Sequence, residues 1–233
     1  MATEIYFVRH GESLDNVAGV TFDQMDVNEE GFLDNPLSEL GERQATAAAE
    51  WLGARVRADA VFSSGLTRAD MTAAPIAEAY SLEVQLLPEL REVEVEKDTI
   101  GKIEIENTLS RTLYELPGGK KLRNFMFELG ALGAFSVWAT AGLKGFEPVE
   151  DLKARARYCL DTLAARPEKR IVAVAHNFFL GALLLELIEA DPLNFLPAPK
   201  PIGLLPNCSV TCVLAHPPRF RLRYAGRKTS SLT

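Results

Sequence analysis

Strand-length runs alternate with longer helical patterns along this chain, and this alternation constrains its fold more than any other feature. Strands are predicted at 5–8, 60–63, 83–86, 170–175 and 209–214. The helical patterns end near Arg57, Tyr80, Ala165 and Glu189, and Ser38 is expected to cap the first of them. Strands joined through helices form a parallel sheet covered on both faces. The pattern therefore predicts an α/β fold of three α/β/α layers with a mainly parallel central sheet.

The chain's 233 residues suffice for one α/β domain that carries an insertion. Regular patterns stop between about Pro88 and Glu147. We therefore expect a single domain over residues 1–233, with an inserted cap segment at about 93–147 that covers one end of the sheet.

Most of the apolar residues of this insertion lie in 125–143. The length of this stretch is marginal for a membrane span, but it contains Glu128 and three glycines. The charged residue and the glycines favour a buried helix or the wall of a pocket, rather than a membrane-spanning helix. Four aromatic residues are expected to form its packing face, with an apolar substrate pocket as the alternative: Phe125, Phe127, Phe135 and Trp138.

The overall charge limits the ligands that this chain can bind. Its formal net charge is -7, and no basic stripe offsets the repulsion of a polyphosphate backbone, which argues against nucleic acid as a partner. Any anionic ligand must instead be held by a local cluster of arginine and histidine.

The cysteines and the start of the chain bear on the cellular compartment. Cys159, Cys208 and Cys212 have no metal-ligand spacing and are expected to be buried, reduced thiols. A strand begins by about residue 4, which leaves no room for a signal peptide. We therefore expect a cytoplasmic protein.

The first predicted strand leads directly into the sequence Arg9-His10-Gly11-Glu12-Ser13. Ligands bind at the carboxyl ends of strands in open α/β sheets. Histidine can act there as a nucleophile, and arginine offers a fork of donors suited to phosphate. The alternative is a surface loop that happens to hold a histidine.

Two other strand ends carry comparable residues. Arg68 follows the strand that ends at Ser63, and His176 follows the strongly apolar strand 170–175. A parallel sheet brings these ends to one rim, where two imidazoles and two guanidiniums would surround a phosphoryl group. The N–H groups of the helix after His176 are expected to add donors to that group. His216, without a partner motif, is expected to be a surface histidine.

Three motifs together resemble the histidine phosphatase superfamily, in its phosphoglycerate-mutase-like branch. They are Phe7–Ser13 with Asn16, Ser63–Ala69 with Thr72 and Ala73, and Val174–Asn177. The resemblance covers roughly 4–95 and 150–215 in the order and spacing of the family. It implies that His10 is the nucleophile and that no metal or other cofactor is needed. It also implies a phosphate pocket made of Arg9, Asn16, Arg68, His176 and Asn177.

Members of the family use an acid to protonate the leaving oxygen, commonly a Glu in a Leu-x-Glu context. Leu90-Arg91-Glu92 resembles this pattern, so Glu92 is the expected acid. Glu89 and Glu94 are the alternatives for this acid. A further alternative is that Glu92 has no catalytic role and belongs to a solvated acidic strand edge. The usual aspartate or glycine after this glutamate is missing, because Val93 follows it.

The sequence thus predicts a metal-independent phosphomonoester hydrolase that works through a phosphohistidine intermediate on His10. One alternative is a phosphoglycerate mutase, which is disfavoured because acidic residues outnumber basic ones in 92–102. The other is a non-catalytic relative that binds phosphorylated ligands, which is disfavoured because all the central residues are present. The expected partner is a small phosphorylated molecule, with a phosphoprotein as a further option. The apolar half of the insertion favours a substrate with a hydrophobic part. The motifs specify neither the substrate nor the oligomeric state.

Overall fold

The computed structural model describes residues 2–14, 34–96, 133, 135–197 and 205–232, which form a six-stranded sheet with helices on both faces. The strands are β1 (Thr3–Arg9), β2 (Ala60–Ser63), β3 (Val84–Leu86), β4 (Arg170–Ala175), β5 (Val210–His216) and β6 (Arg219–Arg227). The longer helices are α1 (Glu39–Gly53), α2 (Thr67–Tyr80), α3 (Val149–Ala164) and α4 (Asn177–Ala190). Short 3₁₀ turns lie at Pro88–Leu90 and Pro192–Phe195, and residues 135–141 are helical.

The strand order in the sheet is β3-β2-β4-β1-β5-β6. Strands β1 to β4 are parallel to one another, whereas β5 and β6 form an antiparallel edge. Glu4 lies opposite Arg170 and Arg9 lies opposite Ala175, so β1 and β4 end level with each other. The predicted α/β class and mainly parallel sheet are therefore confirmed, with the β5–β6 edge as the antiparallel part.

Strand β6 is the element that the sequence analysis does not predict. It extends the sheet over nine residues, and its arginines alternate with the buried side chains of Phe220 and Leu222. Such alternation is typical of a strand with one face on the core. The signal is therefore present in the sequence, directly after the pair Pro217-Pro218.

Strand β1 is apolar on both faces because it lies in the middle of the sheet. Ile5 and Phe7 belong to the core beneath α3 and α4, whereas Tyr6 and Val8 belong to the core beneath α1 and α2. Burying one large apolar side chain stabilises a fold by about 1.5–3 kcal/mol. The two cores thus fix the position of β1 and of the residues that follow Arg9.

Part of the segment 93–147 packs against α4. Phe135 and Trp138 are buried, and their ring centroids lie 5.4 and 5.5 Å from that of Phe178. Phe135 occupies the space above Gly181, where a Cβ atom would meet its ring at 2.3 Å. These two residues therefore pack in the core, as predicted.

The other two aromatic residues assigned to this packing face, Phe125 and Phe127, lie outside the described residues, as does most of 125–143. Within the described part of the chain, no helix is long and apolar enough to cross a bilayer.

Two glycines let the start of α1 pack against the backbone that follows β1. A Cβ atom at Gly41 would lie 1.9 Å from the carbonyl oxygen of Glu12, and one at Gly11 would lie 2.6 Å from that of Gly41. Ser38 caps α1 as predicted, since its Oγ accepts from the Gly41 N–H at 3.1 Å. The same hydroxyl donates to Oε1 of Glu12 at 2.8 Å. Helix α1 is thus anchored to the chain two residues beyond His10.

The contact at Gly41 predicts a sharp stability effect. Gly41→Ala is expected to lower the free energy of unfolding by about 1–3 kcal/mol, because the added methyl group collides with rigid backbone. Gly53→Ala is the matched control in the same helix. Nothing lies within 4 Å of its added Cβ atom, so the expected change is a gain of up to about 1 kcal/mol. Urea denaturation followed by circular dichroism measures both, and equal stability of the two variants would contradict the packing described.

Candidate active site

His10 lies at the carboxyl end of β1 and is held by its backbone. Its N–H donates to the carbonyl of Ala175 in β4 at 3.0 Å, and its own carbonyl accepts from Asn207 Nδ2 at 3.1 Å. The side chain is 3% exposed, and Nδ1 lies 2.7 Å from the carbonyl oxygen of Gly11. Because a carbonyl oxygen only accepts, Nδ1 must carry the proton. The lone pair of the neutral ring is then on Nε2.

His176 directly precedes α4 and is fully buried. Its ring centroid lies 5.0 Å from that of His10, at an interplanar angle of 50°. Nε2 lies 2.9 Å from Oγ of Ser64, which also accepts from the N–H of Leu66 at 3.3 Å. Nδ1 is buried and has no hydrogen-bond partner among the described residues. Such an atom marks a position where a ligand can bind.

Two arginines add positive charge to these imidazoles. Arg68, in the first turn of α2, is 4% exposed, and the Arg9 guanidinium donates to the carbonyl of Leu205. Burial, followed by the charges of Arg68 and Arg9, holds the pKa of His10 well below its usual range, although the Gly11 carbonyl opposes the shift. Burial is also the largest cause of the lowered pKa of His176, with Arg68 next. Both imidazoles are therefore neutral at neutral pH.

Glu92 lies at the N-terminus of α4, beside His176. Its Oε2 accepts from the N–H of Phe178 at 3.2 Å, and its Oε1 accepts from Phe179 at 3.1 Å and from Val93 at 3.0 Å. The expectation that these helix N–H groups donate to a phosphate is therefore wrong for Phe178 and Phe179. A carboxylate that is distant in the sequence binds them instead.

The alternatives to Glu92 occupy different surroundings. Glu94 is exposed and forms an ion pair with Arg91 at 2.8 Å. Glu89 is partly exposed, and its described hydrogen bond is through the backbone carbonyl. Of the three glutamates, Glu92 is the one whose carboxylate is bound at the helix that begins next to His176.

The comparison with protein families agrees with this geometry. Residues 5–115 and 131–227 match the model of the histidine phosphatase superfamily, branch 1. The chain belongs to the histidine phosphatase superfamily. The resemblance inferred from the three motifs is thereby confirmed.

Relatives of this histidine phosphatase include both phosphatases and mutases. A metal-independent phosphoserine phosphatase of Arabidopsis thaliana is 32% identical over 218 residues, covering 91% of this chain and 76% of the relative. A glucosyl-3-phosphoglycerate phosphatase of Mycobacterium tuberculosis is 30% identical over 227 residues, covering 92% and 86%. A probable phosphoglycerate mutase of Yersinia pestis is 32% identical over 215 residues, covering 90% and 84%.

Solved structures match as well. The native structure of a mycobacterial glucosyl-3-phosphoglycerate phosphatase has a TM-score of 0.65 and 26% identity to this chain, and the match covers 97% of this chain and 100% of that one. The likeness therefore extends over the whole sheet and its helices.

The remaining residues expected in the phosphate pocket are only partly described. Asn177 follows His176, and its Oδ1 accepts from the N–H of Leu205 at 3.3 Å, so it also fixes the segment that Arg9 contacts. Asn16 lies outside the described residues. His216 is exposed at the end of β5, as expected of a surface histidine.

Three supporting residues are not identified as site residues by the sequence analysis. Ser64 fixes the ring of His176, as described above. Thr72 accepts from the Gly11 N–H at 3.0 Å and donates to the carbonyl of Arg68 at 2.8 Å, which joins the two motifs. Asp34 accepts from the N–H of Thr67 at 2.6 Å and so caps α2. Ser64 and Thr72 lie within the second motif and could have been found there, but Asp34 carries no such signal.

The described ranges contain no group of three or more His, Cys, Asp or Glu side chains arranged to hold a metal ion.

The lowered pKa values predict how stability depends on pH. Below pH about 6.5, histidine in the unfolded chain binds a proton, whereas His10 and His176 stay neutral in the fold. The unfolded state therefore binds more protons, and the free energy of unfolding falls as the pH is lowered. The slope reaches about 1.4 kcal/mol per pH unit for each histidine.

Urea denaturation between pH 7.5 and 5.5, in phosphate-free buffer, measures this slope. His10→Asn is expected to reduce it. A slope that is the same in wild type and in His10→Asn would show that His10 is not held neutral by the fold.

Proposed function

We propose that this histidine phosphatase hydrolyses phosphomonoesters of small molecules by way of a phosphoryl group carried on His10. The observation that carries this proposal is the state of the His10 ring, which is buried, neutral, and fixed by the Gly11 carbonyl with Nδ1 as the donor. Its Nε2 therefore has a lone pair available for attack on phosphorus. A solvated or protonated imidazole would lack this combination.

The first step transfers the phosphoryl group. The Nε2 lone pair of His10 forms a bond to phosphorus while the bond to the leaving oxygen breaks. Arg9, Arg68 and His176 are proposed to bind the other phosphate oxygens, where charge must be stabilised in the transition state. His10, Arg68 and His176 are buried, and the two imidazole rings lie 5.0 Å apart, which supports a site that needs little reorganisation when the substrate binds.

Glu92 is proposed to handle the proton in both steps. It protonates the leaving oxygen in the first step and takes a proton from the attacking water in the second, in which the phosphorus–nitrogen bond breaks. The N–H groups of Val93, Phe178 and Phe179 hold this side chain in one orientation. The same side chain is proposed to act as an acid in the first step and as a base in the second.

The substrate is proposed to be a small phosphorylated metabolite. Relatives named for phosphoserine and for glucosyl-3-phosphoglycerate support this class. We place substrate selection in the cap segment 93–147, and a hydrophobic part of the substrate fits the apolar composition of 125–143. A screen of phosphorylated metabolites, phosphopeptides and lipid phosphates tests this choice, and a preference for phosphopeptides would overturn it.

The three cysteines, which are all free and buried, are consistent with a reducing compartment, and we propose a cytoplasmic location on that ground.

A mutase activity is the second candidate, because one of the relatives is a probable phosphoglycerate mutase. Transfer between two positions of one substrate requires a second anionic group to be held in the pocket. In the residues that follow the proposed acid, 93–102, acidic side chains instead outnumber basic ones. Hydrolysis is therefore favoured, and release of inorganic phosphate from 3-phosphoglycerate without formation of 2-phosphoglycerate distinguishes the two reactions.

The role of His10 predicts that His10→Ala lowers kcat for p-nitrophenyl phosphate by at least about 10³-fold, because the nucleophile is lost. His216→Ala is the control and should retain full activity. With labelled substrate, the wild type should carry an adduct that is labile in acid and stable in base. A base-labile adduct, or substantial turnover by His10→Ala, would contradict the assignment of His10 as the nucleophile.

The proposed reaction uses no metal ion. Addition of a chelator should therefore leave the rate of the wild-type enzyme unchanged, and loss of activity would contradict a metal-independent reaction.

The role of Glu92 predicts a dependence on the leaving group. Glu92→Gln is expected to lower kcat/KM for alkyl phosphates by about 10²–10⁴-fold, because their leaving oxygens need a proton. Nitrophenyl phosphate, whose leaving group is stable as an anion, should be affected far less. Glu94→Gln is the matched control and should change neither rate. An equal loss of kcat/KM on both substrates in Glu92→Gln would show that another residue is the acid.

A further inference from the structure

Arg155, on α3, binds the backbone of the turn that carries Glu92. Its Nη1 donates to the carbonyls of Glu89 at 2.9 Å and Arg91 at 2.6 Å. Its Nη2 donates to the carbonyl of Glu92 itself at 3.1 Å. One side chain thus donates to three carbonyls of a single turn.

The remaining N–H groups of Arg155 bind Glu147 in a bidentate ion pair. Nε lies 3.1 Å from Oε1 and Nη2 lies 2.6 Å from Oε2. The two side chains are only 12% and 11% exposed. Glu147 is held in turn, because its carbonyl accepts from Trp138 Nε1 at 2.7 Å and its Oε2 accepts from the Glu94 N–H at 3.2 Å.

All five donors of the Arg155 guanidinium therefore have acceptors within the protein. A group in this state has no donor left for a substrate phosphate. A buried ion pair contributes little net stability, because desolvation offsets its Coulomb attraction. Such a pair instead fixes the geometry of the hydrogen bonds that it makes.

Arg155 also lies against the other element that holds Glu92. Its guanidinium carbon is 5.8 Å from the ring centroid of Phe179, whose N–H donates to the Glu92 carboxylate. The backbone of Glu92 and the helix turn that binds its side chain are thus both in contact with one guanidinium. Displacing that guanidinium moves the carboxylate relative to His176.

We propose that Arg155 and Glu147 are positioning residues that fix the Glu92 carboxylate for proton transfer. This inference rests on the proposed phosphatase function and on the acid role of Glu92. It also connects the end of the segment 93–147, where Trp138 and Glu147 lie, to the proton-transfer step.

Arg155→Lys tests the proposal because it keeps the positive charge and removes the planar guanidinium with its five N–H donors. We expect kcat/KM for alkyl phosphates to fall by about 10–100-fold, as misplacing a reacting group by about 1 Å can do. The rate with nitrophenyl phosphate should change by less than about threefold. Arg157→Lys is the control on the same helix, because Arg157 pairs with Asp161 and Glu186 and has no described contact with the turn 89–92. It should leave both rates unchanged.

Combining the variants separates positioning from general stability. Arg155→Lys with Glu92→Gln should be no slower on alkyl phosphates than Glu92→Gln alone, because the positioned group has already been removed. If Arg155→Lys folds poorly, Glu147→Gln, which keeps one of the two acceptors, is expected to give a smaller loss with the same leaving-group dependence. Urea denaturation of each variant records any change in stability separately.

Three results would overturn the proposal in distinguishable ways. Equal losses on both substrates in Arg155→Lys, or losses that add to those of Glu92→Gln, would show a purely structural role while the phosphatase function stands. If the loss in Glu92→Gln does not depend on the leaving group, Glu92 is not the acid, and the positioning role of Arg155 and Glu147 is overturned as well. An active His10→Ala enzyme would overturn the proposed function itself.

Discussion

The site depends on the burial of two neutral imidazoles beside arginine side chains at the ends of β1 and β4. The register between these strands puts Arg9 opposite Ala175, so His10 and His176 follow at the same level. Burial and the nearby guanidiniums disfavour a proton on either ring. In a chain with a net charge of -7, this creates the local cluster of arginine and histidine that we propose as the phosphate site, and it leaves a lone pair on Nε2 of His10.

Contacts to the backbone on both sides of His10 hold this arrangement. The carbonyl of Arg9 accepts from the Cys208 N–H at 3.0 Å, and the Gly11 N–H donates to Thr72. The close approach of Gly11 to Gly41 brings α1 against the same turn. The backbone on either side of His10, the proposed nucleophile, is therefore fixed by Cys208 on the β5 side and by Thr72 on the α2 side. Such preorganisation is what phosphoryl transfer requires of a protein.

Much of this could be predicted from the sequence because the signals are local. The strongly apolar runs 5–8 and 170–175 predict central parallel strands. Because parallel strands bring their carboxyl ends together, the sequence alone is enough to pair His10 with His176. Strand β6 has an equally local signal in the alternation of Arg219–Arg227, and it is easily missed because the pattern begins immediately after two prolines.

The contacts that the sequence could not reveal join distant residues. Glu92 binds N–H groups 86 and 87 positions away, so the donors at the start of α4 look available in the sequence although they are occupied in the fold. Arg155 contacts carbonyl oxygens, and a carbonyl leaves no trace in residue type. The sequence could thus indicate which residues are candidates for the reaction, whereas contacts that support them, such as that of Asp34 at the start of α2, depend on the folded chain.

The central claim is that the phosphoryl group passes through His10 before it reaches water. The stereochemical course at phosphorus tests this most directly, using a phosphorothioate ester made chiral at phosphorus with oxygen isotopes and hydrolysed in isotopically labelled water, because the sulfur keeps the released product chiral. Two successive in-line displacements, first by Nε2 of His10 and then by water, must give inorganic thiophosphate with overall retention of configuration. Overall inversion would mean that water attacks the substrate directly, and it would contradict the role assigned to the buried neutral imidazole.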